Sequence, residues 1–404
     1  MSKQTQIPPV PITAFSSITA CGLGNKALYH ALRDNLSGLG KLQLFEIGFD
    51  TPVGEVKNAL PEINSPLEIY NSRNARMALA ALDYLPDGLR ASIETACQHY
   101  GRERVGVVIG TSTSGLYESE HAYQVLVAEG HMPDDFEFLT RHAYQATARF
   151  LQRVLNLKGP CYAISTACSS GVKSIAAGQR LIANDVCDAV LVGGVDTLCR
   201  LTLRGFHSLG LISEQPCQPM DQNRRGINIG EGAGLLLLEK PGAAHKHRPH
   251  VLAIGESSDA HHMSTPHPEG KGAVLAMNTA LQLAGLSTGE IDYINLHATA
   301  TPINDQIEAI AIQTLFNDTV PCSGSKGITG HTLGAAGAIE TIISLLALEH
   351  RFIPGTCGLQ AVDKSCDCRV IRNPQANQNL HRVMSNSFGF GGNNASIILA
   401  HNHE

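Results

Sequence analysis

What most constrains this 404-residue chain is a recurring order: a run apolar at nearly every position, a Gly- or Ser-rich corner, then a stretch with helical spacing. Residues 104–110 (RVGVVIG), 162–165 (YAIS), 188–194 (DAVLVGG), 234–239 (GLLLLE), 292–297 (DYINLH) and 395–400 (ASIILA) are such runs. Runs without polar alternation suit strands covered on both faces. Between them, residues 140–155, 169–183, 273–284, 304–316 and 334–348 space their apolar side chains as helices do. The alternation predicts an α/β fold of largely parallel sheets under helices. The polar stretch 240–249 (KPGAAHKHRP) lies between two strand-like runs and predicts two units, 1–243 and 250–404, with a site where they meet.

Composition narrows the function. Thirty Lys and Arg against 36 Asp and Glu give a net charge of -6, which offers no basic footprint for nucleic acid. With 43% apolar and 16% charged residues, the chain has the makings of a large core. No apolar run reaches the roughly 18–20 residues of a membrane-crossing helix. The opening MSKQTQIPPVPITAF lacks the charged start, apolar stretch and cleavage site of a secretory leader. The expectation is a cytoplasmic enzyme whose eleven cysteines are reduced thiols.

Four segments carry candidate chemistry. In GPCYAISTACSSGVKS (159–174) a strand ends just before Cys168, which opens a small-residue helix. A helix N-terminus favours the thiolate, and Ser169, Ser170 and Gly171 leave room for a substrate. Equally, Cys168 reads as a small buried hydrophobe. In DYINLHATATPINDQIEA (292–309) a strand delivers His297 at its C-terminal end, where α/β folds bind ligands. Thr299 and Thr301 follow, with hydroxyls suited to an extended amide-bearing arm. A lone histidine is more often structural. In CSGSKGITGHTLGAAGAIE (322–340), Lys326 and His331 occupy a Gly/Ser/Thr loop, and a buried ammonium there needs a carboxylate. Glu308, beside Asn304 and Asp305 on the preceding helix, is the candidate partner; a solvated loop lysine is the plainer reading. In SNSFGFGGNNAS (385–396), glycines around Phe388 and Phe390 permit loop movement or simply a turn.

In this order the segments resemble the β-ketoacyl–acyl-carrier-protein synthases, the elongating type I/II ketosynthases of the thiolase-like superfamily, over nearly the whole chain. The blocks PITAFSSITACGLGNKALYHAL, RVGVVIGTSTSG, INIGEGAGLLLLE and SDAHHMSTPHPEG extend the match. The resemblance implies two similar halves stacked as a five-layer αβαβα sandwich. It also implies a decarboxylative Claisen condensation through an acyl-Cys168 intermediate. By the same resemblance His297 and His331 are the catalytic histidines, Lys326 supports them, and Glu308 and Asp305 are associated polar groups. Phe390 gates the site, with the backbone N–H groups of Cys168 and Phe390 as an oxyanion hole. Thr299, Thr301 and Phe388 line the path of the pantetheine arm. No metal is implied, and no cofactor beyond the phosphopantetheine of acyl carrier protein. That carrier protein is the expected partner, together with a second copy of the chain or a related ketosynthase-like subunit.

Where this chain departs from its relatives, the acyl substrate is in question. Ala298 stands where Gly is usual and is expected to tighten the pantetheine tunnel. Ile227 replaces an aromatic, Asn228 is new, and Thr113 sits where relatives limit acyl-chain depth. Fatty-acid-type elongation is the expected role. The alternative is a specialised subunit of a polyketide or aryl-polyene type pathway with a chain-length partner. Cys168, His297, Lys326 and His331 together speak against a non-catalytic partner subunit. A papain-like peptidase would need another context around its cysteine, and a thiolase a late second cysteine. Cys366 and Cys368 are late, but in a polar loop that is equally weak as a C-x-C metal site. His261 and His262 read as packing or surface groups. Arg73, Arg76, Arg204 and Arg224 are candidates for docking an acidic carrier.

Overall fold

In the computed structural model, which describes residues 7–85 and 88–401, the apolar runs become two sets of five strands. Residues 1–6, part of the stretch read for a secretory leader, lie outside these. The first set is β1 (Val10–Thr19), β2 (Val105–Gly110), β3 (Cys161–Ile164), β4 (Ala189–Asp196) and β5 (Gly232–Glu239). The second is β6 (His250–Ser258), β7 (Tyr293–Leu296), β8 (Cys322–Gly324), β9 (Arg382–Gly389) and β10 (Asn393–Ala400). Their spatial orders, β3-β2-β4-β5-β1 and β8-β7-β9-β10-β6, are the same pattern used twice. The sheets share an edge where Val10 and Pro11 of β1 pair with Val251 and His250 of β6.

The sheets are mixed rather than largely parallel. In each, the first three strands of that order pair in parallel and the last two join antiparallel. The reason is plain at β9–β10. Only Phe390–Gly392 separates them, far too short for a parallel crossover.

Side chains alternate along the strands between two cores. In β5, Leu236 and Leu238 face the middle of the molecule while Leu235 and Leu237 face outward; in β10, Ile397 and Leu399 face the middle and Ile398 outward. The middle layer is the helix pair Ser170–Ala183 and Ala336–His350. One outer layer includes the helices Arg73–Asp83 and Ala146–Val154, the other Lys271–Ala284 and Pro302–Phe316. The result is a five-layer αβαβα sandwich. Residues 140–155, read as one helix, are helical only over Ala146–Val154, after a π-turn at Phe138–His142.

Against the expectation that no apolar run reaches membrane length, Leu333–His350 is long and apolar enough by length and composition to cross a membrane. Its hydropathy comes from Ile, Leu and Ala residues, and Glu340, Thr341 and Ser344 break them into runs too short to read as one span. It is 89% buried as the central helix. There it crosses its partner with backbones in close contact. A Cβ on Gly171 would lie 2.6 Å from the Ala338 nitrogen, and one on Gly337 would lie 2.7 Å from Val172 Cγ2. That crossing draws together the two loops that precede the helices, which carry Cys168 and His331.

Candidate active site

Cys168 sits in a tight turn between β3 and its helix. Ala167 adopts φ +52°, and the turn is stapled by serine hydroxyls. Ser169 Oγ donates to the Thr166 carbonyl at 2.9 Å, while Ser170 Oγ accepts from the Thr166 N–H at 2.8 Å and donates to the Ala167 carbonyl at 2.6 Å. Both serines are fully buried, so they shape the turn rather than leave space for a substrate. Cys168 Sγ lies 2.9 Å from His331 Nε2. Burial pushes the thiol up to about 11, against the opposing pull of the Lys326 charge and the Phe390 backbone N–H. Desolvation thus works against the thiolate that a helix N-terminus favours. The resting group is S–H facing an imidazole.

His297 directly follows β7 and His331 follows the short helix Lys326–Thr329. The rings meet edge to face, centroids 5.3 Å apart. Burial and the nearby Lys326 charge hold both imidazoles well below their ordinary value of 6.5, so both are neutral at neutral pH. Lys326 Nζ is 3.2 Å from His297 Nδ1 and donates to the His297 carbonyl. An ammonium is only a donor, so Nδ1 accepts and the His297 proton is on Nε2. His331 is placed through its backbone, whose N–H donates to the Asn228 carbonyl at 2.8 Å.

The carboxylate paired with Lys326 is Glu340, not Glu308. Glu340 stands one turn into the central helix, among apolar neighbours, with its side chain 3% exposed. Glu308 instead accepts the backbone N–H groups of His297 at 2.8 Å and Ala298 at 2.7 Å, clamping the turn that ends β7. Asp305 does the same one step on, accepting from Ala300 at 3.1 Å and Met220 at 2.8 Å. Two residues missed in the sequence also hold the site. Asp196, at the end of β4, collects the N–H groups of Ser112, Thr113 and Gly334 and the hydroxyls of Thr111 and Thr113. Thr113 is therefore bound to Asp196 and does not line the cavity that reaches Cys168. Phe206 packs on Phe390, ring centroids 5.5 Å apart.

That cavity, about 390 Å³, reaches Cys168, His297 and His331 together. Thr299, Thr301, Ile227, Phe388 and Phe390 line it, and the two threonine hydroxyls lie 2.9 Å apart. Ala298 does not. It is fully buried at φ +36°, and a Cβ on Gly324 would lie 2.6 Å from its methyl, so that methyl packs inward rather than narrowing the tunnel. Asn228 is likewise buried, its amide bonded to Cys217, Thr51 and Ser213.

Of the candidate docking arginines, two are internal. Arg73 pairs with buried Glu231, and Arg224 with Asp363 and the Pro302 carbonyl. Arg76 pairs with Glu62 at 2.7 Å, and Arg204 is exposed on the helix Arg200–Ser208 that carries Phe206. Cys366 and Cys368 lie outside the cavity, Cys368 Sγ 3.8 Å from Cys322 Sγ. His261 and His262 are exposed, the His261 ring 5.2 Å from that of His267. The donor atoms of Cys168, His297 and His331 fall within 4.8 Å of one another, a spacing a metal ion could use. The Lys326 ammonium beside His297 sets a positive charge against such an ion.

A thiol, two neutral imidazoles and a buried ammonium at the junction of two like halves define a thiolase-like site for acyl transfer. Residues 66–244 match the beta-ketoacyl synthase N-terminal domain and residues 250–360 its C-terminal domain. The chain belongs to the beta-ketoacyl synthase family and is an acyltransferase-type enzyme. It is 32% identical to 3-oxoacyl-[acyl-carrier-protein] synthase 2 of Coxiella burnetii over 94% of this chain and 95% of that one. It is also 32% identical to the mitochondrial 3-oxoacyl-[acyl-carrier-protein] synthase of Arabidopsis thaliana, over 97% and 93%. Among solved structures it resembles a chain of the complex between the ketosynthase ApeO and its chain length factor ApeC from Xenorhabdus doucetiae. The TM-score is 0.89 with 38% identity over 100% of both chains.

Proposed function

We propose that the chain condenses an acyl thioester with a malonyl thioester, both delivered on the phosphopantetheine of acyl carrier protein. The observation that carries this reading is the 2.9 Å contact between Cys168 Sγ and a neutral His331 Nε2 at the foot of a cavity lined by Thr299 and Thr301. In the first half-reaction the Cys168 thiol passes its proton by way of His331 to the departing carrier thiolate, while sulfur forms the new thioester bond. The Phe390 N–H, which already faces the sulfur, together with the N–H of Cys168, supports the acyl oxygen.

In the second half-reaction malonyl thioester loses CO2, and the electron pair of the broken bond flows into an enolate. His297, its proton fixed on Nε2 by Lys326, donates a hydrogen bond to the enolate oxygen. His331 donates a second once its ring proton has exchanged from Nδ1 to Nε2 after the carrier thiol departs, each bond being worth about 2.7–4 kcal/mol in a dry site. The carbanion attacks the acyl-Cys168 carbonyl and Cys168 leaves as thiolate, recovering a proton from solvent. The chemistry calls for no resident cofactor.

For the pathway we favour the catalytic subunit of a polyketide or aryl-polyene type enzyme working with a ketosynthase-like chain-length partner. Supporting it is the 38% identity, over the full length of both chains, to a chain of a ketosynthase–chain length factor complex, together with the presence here of Cys168, His297, Lys326 and His331. Fatty-acid-type elongation is the second reading, favoured by the 32% identity to 3-oxoacyl-[acyl-carrier-protein] synthase 2. Intact-mass analysis after offering saturated, aromatic and polyunsaturated acyl-carrier thioesters, with and without such a partner and malonyl carrier protein, separates them. Preferential elongation of the unsaturated acyl groups, dependent on the partner, is expected. Elongation of saturated acyl groups by the chain alone overturns the first reading, and no acylation of Cys168 by any thioester overturns both.

A further inference from the structure

We propose that Cys322 and Cys368 are a redox site: hydrogen peroxide joins them in a reversible disulfide that braces β8, the strand leading into Lys326. The site lies outside the cavity and is independent of the acyl-Cys168 reading above. The two sulfurs are 3.8 Å apart, so they touch as thiols and must close to about 2.05 Å to bond. The Cys322 backbone is held on both sides. On one side β8 pairs with β7, Cys322 beside Ile294. On the other, the Cys322 N–H donates to the Arg369 carbonyl at 3.0 Å, and its carbonyl accepts from the Ile371 N–H at 2.8 Å. Two three-residue turns lead into that contact. The Cys366 carbonyl accepts from the Cys368 N–H and the Cys368 carbonyl from the Val370 N–H, each at 2.8 Å. They fold the chain back at Cys368, whose sulfur meets Cys322 although Val370 is the residue bridged to it.

Exposure divides the roles. Cys322 is fully buried, whereas Cys368 is half-buried between exposed Asp367 and Arg369. The contact with Cys368, and then burial, hold the Cys322 thiol well above its ordinary value, so it stays protonated at rest. Cys368 therefore meets the oxidant first. Its sulfur takes one peroxide oxygen, the O–O bond breaks, and the departing hydroxide leaves as water with the thiol proton. The Cys322 sulfur then attacks the sulfenic sulfur. The S–S bond forms, the S–O bond breaks, and hydroxide leaves with the Cys322 proton as a second water. Two thiols are oxidised and one peroxide is reduced. The bridge fastens β8 at the end opposite Lys326, which touches His297 just beyond β7. It also closes a long loop, which restricts the unfolded chain.

The test uses Cys168→Ala as background, so that the cavity thiol gives no signal. The reduced protein is treated with hydrogen peroxide, its remaining thiols are alkylated, and the digest is mapped, alone and with Cys368→Ala or Cys366→Ala added. We expect a peptide pair joined through Cys322 and Cys368, kept with Cys366→Ala, lost with Cys368→Ala and reversed by dithiothreitol. The oxidised protein should melt about 3–5 °C above the reduced one, a difference that vanishes with Cys368→Ala. A bridge between Cys366 and Cys368, or sulfinic acid at Cys368 with Cys322 still free, overturns the inference. So does a bridged form that melts at or below the reduced one, because the disulfide then strains β8 instead of bracing it.

Discussion

Lys326 and Glu340 form an ion pair in the interior of the protein, their side chains only 1% and 3% exposed. The pair spans from the loop before His331 to the central helix that follows it. The ammonium also touches both the ring and the carbonyl of His297. One buried cation thus fixes a tautomer, a ring orientation and the position of a strand end. Stranding either partner is costly, because the other remains charged and desolvated.

The first consequence concerns the division of labour between the histidines. His297 touches Lys326 but has no contact with sulfur of the kind His331 makes. His297→Ala should lower malonyl decarboxylation about 10²–10³-fold, the usual cost of one oxyanion donor, and leave Cys168 acylation within about tenfold. His331→Ala should impair both steps. Release of CO2 and acyl-enzyme mass, measured separately, check this. Equal loss of both steps in His297→Ala contradicts it.

A second consequence concerns the thiol. With Cys168 pushed up to about 11 by burial, little thiolate exists at neutral pH in the empty site. The rate of Cys168 alkylation by iodoacetamide should keep rising with pH past 9 and level off only near 11. Cys168→Ala should abolish the acyl adduct in intact mass. A plateau already at pH 8 would show a preformed thiolate and remove the need for His331 as proton carrier.

Much of this site was legible in the sequence because each of its parts is announced locally. Cys168 lies between a strand and a helix, His297 directly follows a strand, and Lys326 and His331 share one Gly-rich segment. What misled was partnership across the fold. Glu308 is close to His297 in sequence, but its carboxylate is turned to two backbone N–H groups. The true partner, Glu340, carried a signal of its own: a single carboxylate inside AGAIETIISLLAL, a stretch otherwise without charge, must find a cation or a proton. Arg73 and Arg224 likewise read as surface charges, because nothing nearby shows that Glu231 and Asp363 will fold against them. The same holds for Ala298, whose positive φ only the folded turn displays.

Of the four arginines, Arg204 keeps the strongest claim to meet a carrier protein. It is exposed and lies on the same helix as Phe206, which lines the cavity. Arg204→Glu should raise KM for acyl carrier protein several-fold and leave kcat nearly unchanged, an effect that salt weakens. The same variant assayed with a pantetheine thioester free of carrier should behave as wild type. Unchanged carrier kinetics would move the docking surface elsewhere.

The close crossing of the central helices predicts a sharp steric penalty. Gly337→Ala would place a methyl 2.7 Å from Val172 Cγ2 and 2.8 Å from Ser387 Oγ. Overpacking of this kind costs about 1–3 kcal/mol, readable as a lower urea midpoint. The displacement should also separate Cys168 from His331, so acylation falls further than the loss of folded protein explains.

Stability against pH offers an independent check on the buried carboxyls. Burial pushes both Glu308 and Glu340 up to about 7 from an ordinary 4.5, in spite of the bonds each accepts. Between those two values the folded chain holds protons that the unfolded chain has released. Their contribution is therefore fully present below 4.5 and is lost as the pH rises through 7. His297 and His331 act in the opposite sense. Held well below 6.5 in the fold, they contribute above that value and lose it as the pH falls. The two effects oppose one another between about 4.5 and 6.5, so wild type alone should show a shallow profile there. Glu340→Gln strands the Lys326 ammonium, which lowers the Tm overall, and removes one titrating carboxyl. Its Tm, measured against wild type at each pH, should improve steadily from 4.5 to 8; a difference that stays constant over that range would mean Glu340 is ionised in the fold throughout.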